Sequence, residues 1–182
     1  MKRYPVIGIA GRARVGKDTV AETLLRIGAA RYRYGFADPI RKMLKVGFGV
    51  CMDDPAWQAV KEQPIEWLGR SPRELMQTLG TEWGREMVHR DVWLRLADRA
   101  LLGAGDGMVI SDVRFENEAT WVREAAGLVI HVVRPSAEAV APHASEAGIL
   151  FHPDVDVLIF NTGSIDELRH HVAELFRQPE PA

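Results

Sequence analysis

The sequence predicts an α/β fold, in which a parallel sheet of about five strands is covered by helices on both faces. Short apolar runs alternate with helical patterns along the 182 residues, and this alternation is typical of right-handed strand–helix–strand crossovers. Two of the runs, Met108–Ser111 and Leu128–Val133, are almost entirely apolar, as expected for strands buried inside a parallel sheet. Ligands bind at the carboxyl ends of such strands, so the candidate site lies there.

The other elements follow from apolar patterning and from helix-start signals. Ser71 and Ser164 each have a glutamate three residues later, which is a capping-box signature, and Asp38 before Pro39 predicts a further helix start. The predicted strands are Pro5–Ala10, Arg33–Phe36, Met108–Ser111, Leu128–Val133 and Val155–Phe160. The predicted helices follow the loop at Gly11–Thr19 and start near Asp38, Ser71, Asp91, Asn117 and Ser164. We expect a single domain over residues 1–182, with a helical insertion at about 48–102.

The segment Gly11–Thr19 lies between the first strand and the first helix and predicts a phosphate-binding loop. Gly11 and Gly16 allow a tight turn without a side chain near the phosphate, and the backbone amides of the turn point at one anion. Lys17 adds a charge that reaches the β- and γ-phosphates. The alternative is a tight turn that binds nothing. The donor-side residues of the loop are Gly11, Arg14, Val15, Gly16, Lys17, Asp18 and Thr19.

Asp18 stands where such a loop usually carries a serine or threonine that ligates magnesium. Because a carboxylate is a hard oxygen ligand, one role for Asp18 is to hold magnesium directly or through a water. Two alternatives are that it orders a water near the nucleophile and that it caps the helix. The hydroxyl of Thr19 is placed to reach the α-phosphate.

Polar residues follow the predicted strands. Asp112 is expected to hold the hydration shell of magnesium, although a helix cap is the alternative. Arg114 is expected to contact a phosphate, the alternative being a surface ion pair. Arg134 is the candidate cation for the transferred group, and Asn161, at the end of the last strand, is counted with the donor side.

Residues 134–152 are polar, contain Pro135 and Pro142, and show little periodicity. A stretch of this kind predicts a lid, because phosphoryl transfer requires the exclusion of water. Glu146 and His143 would orient the substrate or brace the closed lid, and solvated loop residues are the alternative.

A polar stripe lies on the helix that starts at Ser71. Arg73, Gln77 and Thr81 follow each other at spacings of four residues, so they share one helix face. The stripe lines an acceptor pocket or simply faces solvent. Trp83 and Trp93 stack a base or belong to the core.

Composition argues against several other classes of protein. A net charge of −2 disfavours binding to a nucleic-acid polymer, and no apolar run approaches the roughly 18 residues that span a bilayer. The single cysteine, Cys51, fits a reducing compartment, and the first residues show no signal-peptide pattern. We therefore expect a cytoplasmic protein that binds no membrane.

Four segments together resemble the phage-type deoxynucleoside monophosphate kinases: Gly11–Thr19, Phe36–Pro39, Ser71–Arg85 and Asp112–Ala119. The Gly-Lys-Asp loop recurs in other small-molecule kinases. The combination of Gln77–Glu82 with Asp112–Phe115 is more specific. The resemblance spans most of the chain.

The resemblance implies a P-loop NTPase fold and transfer of the γ-phosphoryl group of ATP, with Mg²⁺, to a deoxynucleoside monophosphate. Asp18 and Asp112 would hold the metal, and Lys17 and Arg134 would act in transfer. The acceptor phosphate oxygen is already a nucleophile, so no general base is assigned. The resemblance further implies a homodimer formed through the helical insertion. The acceptor-side candidates are Phe36, Asp38, Arg41, Arg73, Gln77, Trp83, Trp93, Arg114 and Glu146.

Three other functions stay open. The same scaffold would phosphorylate another small acceptor, such as a ribonucleotide, dephospho-coenzyme A or a phosphorylated alcohol. A nucleotide-dependent switch without an acceptor would hydrolyse ATP without stimulation by any monophosphate. An interaction subunit that keeps only the shape of the fold would not bind ATP with magnesium.

Overall fold

The computed structural model describes residues 3–105, 107–135 and 149–177. The strands are β1 (Val6–Ala10), β2 (Tyr32–Tyr34), β3 (Met108–Val113), β4 (Leu128–Val133) and β5 (Asp156–Phe160). The α-helices are α1 (Lys17–Arg26), α2 (Asp38–Phe48), α3 (Pro55–Ala59), α4 (Pro72–Gln77), α5 (Val92–Ala104), α6 (Glu116–Glu124) and α7 (Ile165–Phe176). A π-helix, Thr78–Val88, lies between α4 and α5.

The five strands form one sheet in the order β2-β3-β1-β4-β5, and every neighbouring pair is parallel. The predicted parallel five-stranded sheet is confirmed. Because all strands run the same way, the loop after β1 and the residues after the other strands lie at the same edge of the sheet.

Helices cover both faces of the sheet. On one face, apolar residues of α1 and α7 share a buried cluster with Ile7 and Ile9 of β1. Gly8 points to the other face, where an added Cβ atom would lie 3.0 Å from the side chain of Val122 in α6. This alternation along β1 is the period of two expected for a strand buried on both sides.

The chain divides into two compact units. One unit comprises the described parts of residues 1–35 and 100–182, and includes the whole sheet; the other is Phe36–Arg99. The predicted insertion at 48–102 falls largely within this second unit. No helix among the described residues is long and apolar enough to cross a membrane.

Two helix starts in the second unit differ in their capping. The capping box at Ser71 is confirmed, because its hydroxyl accepts from Glu74 N and the Glu74 carboxylate accepts from Ser71 N. The hydrogen bond from the Ser71 backbone N–H, followed by that from the Ser71 hydroxyl, lowers the pKa of Glu74. The predicted Asp38 cap is wrong: α2 starts one residue earlier, with Ala37 as N-cap. Asp38 instead accepts a hydrogen bond of 3.0 Å from Arg41 Nη1.

Candidate donor site

The loop between β1 and α1 depends on its two glycines. Gly11 and Gly16 have φ angles of 145° and 105°, which only glycine adopts without strain. A Cβ atom on Gly16 would lie 2.9 Å from both Asn161 Nδ2 and Leu168 Cδ2. The turn is therefore closely packed against the loop after β5 and against α7, and α1 starts directly after Gly16.

Lys17 is held across this loop. Its Nζ donates hydrogen bonds of 2.8 Å to the carbonyl oxygens of Gly11 and Arg12, and it lies 3.8 Å from Asp112 Oδ1. The side chain is only 13% exposed, so its charge is fixed beside the loop amides. This arrangement concentrates positive potential where α1 begins, which suits a phosphate group.

Asp112 lies in β3 and does not cap a helix. Glu118 caps the backbone N–H groups just before α6. Its buried carboxylate accepts hydrogen bonds from the N–H groups of Arg114 and Phe115 at 2.8 and 3.2 Å. Arg114 Nε donates a 2.6 Å hydrogen bond to Asp112 Oδ2, and its Nη2 forms an ion pair with the same carboxylate. Asp112 thus lies between Lys17 and Arg114.

Asp18, in the first turn of helix α1, has a cationic partner on strand β2. Arg33 of β2 forms an ion pair with its carboxylate. The same guanidinium donates to Ser111 Oγ in β3, from Nη2 at 2.5 Å and from Nε at 3.0 Å. Asp18 makes no cap hydrogen bond, since the N-cap is Gly16, so this contact favours the roles other than a helix cap.

A cavity of about 470 Å³ opens beside the loop. It brings together predicted donor-side residues from three separate parts of the chain, including the cation Arg134 after β4 and the amide of Asn161 after β5. The lining residues are Arg14, Gly16, Lys17, Asp18, Thr19, Arg134, Asn161, Gly163, Ser164, Ile165 and Leu168.

Asn161 also has a structural contact. It is 5% exposed, and its Nδ2 donates a 2.9 Å hydrogen bond to the carbonyl oxygen of Val15. Its backbone N–H donates to Val133 O at 2.7 Å. The residue therefore ties the end of β5 both to the phosphate loop and to the end of β4.

Most acceptor-side candidates belong to the second unit and differ in exposure. Arg73 and Gln77 are exposed, and Arg73 Nη1 donates to Glu62 Oε1 at 2.5 Å. Trp83 is 39% exposed, whereas Phe36 and Trp93 are 7% and 3% exposed. Asp38 and Arg41 form an ion pair with each other. Arg114 belongs to the unit that contains the sheet. Glu146, with most of the predicted lid, lies outside the described residues.

Trp93 has the contacts of a core residue. Its indole Nε1 donates a 2.8 Å hydrogen bond to the carbonyl oxygen of Gly80, and its ring lies against Gly84 in the π-helix. The core interpretation is therefore the better one for Trp93, and the exposed Trp83 is the better candidate to stack a base.

Known proteins resemble this chain across most of its length. A family model described as deoxynucleotide monophosphate kinase matches residues 59–172. A protein of Acanthamoeba polyphaga mimivirus whose name places it in that family is 31% identical over 180 residues, covering 89% of this chain and 91% of the relative. The chain belongs to the deoxynucleotide monophosphate kinase family. The predicted resemblance is confirmed.

Other members of the family and other kinases also match. The deoxynucleoside-5'-monophosphate kinase of Escherichia phage T5 is 26% identical over 211 residues, covering 79% of this chain and 84% of the relative. A sugar kinase from Janibacter sp. HTCC2649 has a TM-score of 0.49 at 12% identity, covering 94% of this chain and 93% of that chain. The APS kinase of Mycobacterium tuberculosis has a TM-score of 0.49 at 16% identity, covering 96% and 98%.

Two residues at the donor site of this family member were missed from the sequence. Arg33 and Ser111 are 78 residues apart, and they meet because β2 and β3 are adjacent in the sheet. The available signals were that Arg33 starts a predicted strand and that Ser111 directly precedes Asp112.

Proposed function

We propose that this family member transfers the γ-phosphoryl group of ATP to a deoxynucleoside monophosphate, giving the diphosphate. The observation that carries the proposal is the cavity that the phosphate loop, Lys17, Arg134 and Asn161 line together. Loop amides and the three cationic residues of the lining, Arg14, Lys17 and Arg134, suit a triphosphate. The apolar side chains of Ile165 and Leu168, which line the same cavity, suit a nucleobase.

In this proposal the chain acts by positioning and by charge. Lys17, fixed over the loop by its two carbonyl contacts, stabilises negative charge on the transferred group. Arg134 supplies a further cation that lines the same cavity. The acceptor needs no general base, because its phosphate oxygen is already a nucleophile.

Magnesium fits the residues of the donor site. Mg²⁺ is usually held by one or two carboxylates together with substrate phosphates and waters, so a group of three or more acidic, histidine or cysteine ligands is not needed, and the described residues contain none. Asp112 is 41% exposed beside Lys17, and Asp18 lies on the first turn of α1. These two carboxylates would hold the ion, which when bound neutralises charge on the β- and γ-phosphates.

The acceptor-side residues of the proposal offer the groups that a nucleoside monophosphate requires. Arg41, Arg73 and Arg114 supply guanidinium forks for phosphate oxygens, and Gln77 supplies an amide for the base. The exposed ring of Trp83 supplies a stacking surface. The acceptor roles of Phe36, Asp38 and Glu146 rest on the resemblance.

The proposal includes a cellular setting. A net charge of −2 and a single cysteine support action on free nucleotides in the cytoplasm. A homodimer through the helical insertion rests on the resemblance alone, and light scattering of the purified chain tests it: a mass of one chain at micromolar concentration would contradict it.

Transfer of radiolabelled γ-phosphate from ATP to an equimolar mixture of deoxynucleoside monophosphates tests the function. We expect labelled diphosphates, and we expect Arg134→Met to lower kcat by about 100-fold. Arg169→Met, at a half-buried arginine of α7 that pairs with Asp166, is the matched control and should keep normal turnover. Labelled inorganic phosphate alone, at a rate that no monophosphate changes, would contradict transfer and indicate a nucleotide-dependent switch.

A further inference from the structure

The phosphate loop of this chain carries an acidic side chain where a donor with several negative charges has to bind. Asp18 is 75% exposed at its side chain and follows Lys17 directly. An unpaired carboxylate there would repel the phosphates, because like charges in a solvent-accessible site interact over several ångströms. In the absence of Mg²⁺, a compensating charge beside Asp18 would therefore favour donor binding.

Arg33 has the geometry to compensate this charge. Its guanidinium pairs with Asp18 and makes two further hydrogen bonds to Ser111 Oγ. Ser111 is 8% exposed and lies within β3, so the arginine fork is anchored on the sheet and not on a mobile loop. The contacts with Ser111 therefore fix the position of the Arg33 guanidinium, and with it the direction from which Arg33 approaches the Asp18 carboxylate.

We infer that Arg33 is a positioning residue that neutralises Asp18 and holds its carboxylate toward β3, so that the donor phosphates bind the loop without repulsion. This rests on the proposed donor site but not on transfer to any acceptor. Arg33 thus acts through Asp18, and its removal should matter only while the Asp18 carboxylate is present.

A double-mutant cycle on nucleotide binding tests the inference. The affinity of a non-hydrolysable ATP analogue is measured by calorimetry at low salt with a chelator, for wild type, Arg33→Met, Asp18→Asn and the double variant. We expect Arg33→Met to weaken binding about fivefold to tenfold, Asp18→Asn to bind at least as well as wild type, and the double variant to match Asp18→Asn within about twofold. Arg33→Lys should recover part of the affinity, because it keeps the charge and loses the fork.

The control is Arg26→Met, at an exposed arginine in the last turn of α1, which should bind as wild type. Melting temperatures establish that each variant folds, and Asp18→Ser replaces Asp18→Asn if the latter does not. Unchanged affinity in Arg33→Met, or a double variant as weak as Arg33→Met, would overturn the inference, the second result because Arg33 would then act on the nucleotide itself. The cycle needs no turnover, so absent transfer would contradict the proposed function and leave this inference standing.

Discussion

Each acidic side chain at the donor site faces a basic one. Asp112 lies between Lys17 and Arg114, and Asp18 faces Arg33. All of these side chains except Lys17 are at least 41% exposed, so each pair contributes little to the free energy of unfolding. What the pairs determine is the direction in which each charge points, which is the property that phosphoryl transfer depends on.

Lys17→Ala should abolish most transfer and keep the fold. The lysine charge stabilises the transferred group, so we expect kcat to fall by at least about 100-fold, with little change in melting temperature. Lys45→Ala, at an exposed lysine in the last turn of α2, is the control. Near-normal turnover in Lys17→Ala would remove the donor-site assignment.

Asp18→Ser should lower turnover although it restores the more common form of the loop. The carboxylate either ligates magnesium or orders the nucleophile, and a hydroxyl replaces neither function fully. We expect kcat to fall about tenfold or more. Initial rates over a range of magnesium concentrations measure this. If turnover and the magnesium dependence both stay unchanged, Asp18 has only a local role in α1.

At the residue scale, the turn between β1 and α1 was predictable because its motif is continuous in sequence. Gly11 and Gly16 lie in the same short segment between β1 and α1, and glycine tolerance of positive φ makes the backbone of this turn predictable. The contact of Arg33 with Asp18 and Ser111 was not predictable, because it depends on which strands are neighbours. Asp38 was wrongly assigned as a cap since Ala37 already adopts helical angles.

At the scale of elements, the π-helix at Thr78–Val88 is the main departure from the predictions. The spacing of Arg73, Gln77 and Thr81 predicted one α-helix that continues from its start near Ser71 past Thr81, because α- and π-helices draw on the same residue types. The wider turn changes which residues share a face, so the stripe of Arg73, Gln77 and Thr81 does not continue with α-helical spacing past Gln77. π-helical turns are frequent at functional sites.

Gly84→Ala should destabilise this π-helix. An added Cβ atom would contact the Trp93 ring and would lie 2.8 Å from Leu79 O, so we expect a loss of about 2 kcal/mol in the free energy of unfolding. Gly47→Ala in α2 is the matched control, since an added Cβ meets nothing within 4 Å there, and it should stabilise by up to about 1 kcal/mol. Urea titrations measure both; equal effects would contradict the packing argument.

A buried ion network joins α6 to β5. Arg123 donates to both oxygens of Asp156 at 3.0 and 2.8 Å, and Asp156 is fully buried at its side chain. Burial raises the pKa of Asp156, but hydrogen bonds from Arg123, from the backbone of His152 and from His131 outweigh burial and lower the pKa below its usual value. Arg123 also donates to Leu150 O at 2.8 Å, so the network holds the chain on its return to β5.

Asp156→Asn should cost about 2 kcal/mol at neutral pH, because Arg123 loses its buried charged partner and keeps Glu116, which its Nη1 contacts at 2.8 Å. The folded-state pKa lies below the unfolded one, so the wild-type advantage is full above the unfolded pKa and is lost as pH falls through the folded pKa. Urea titrations at a series of pH values measure this. The control is Asp166→Asn, because the Asp166 side chain is 90% exposed and its loss should change the free energy of unfolding little. If the stability difference between wild type and Asp156→Asn grew as the pH fell, the proposed role of Asp156 would be wrong.

At the scale of the whole molecule, the sheet was predictable because its strands are apolar runs. The strand limits Leu128–Val133 match the prediction, and those of the other strands differ by a few residues. The alternation of strands and helices predicted parallel pairing. The division at Phe36 was not predictable, because no linker-like change in composition marks it. Family membership was predictable from segments distributed over most of the chain.

The most direct test of the central claim is ADP release from ATP and magnesium, with one acceptor at a time, across the four common deoxynucleoside monophosphates and their ribose counterparts. The account predicts release with at least one deoxynucleoside monophosphate, together with the matching diphosphate, and loss of both in Lys17→Ala. Silence across the whole panel while ATP still binds would contradict it and would indicate a different small-molecule acceptor.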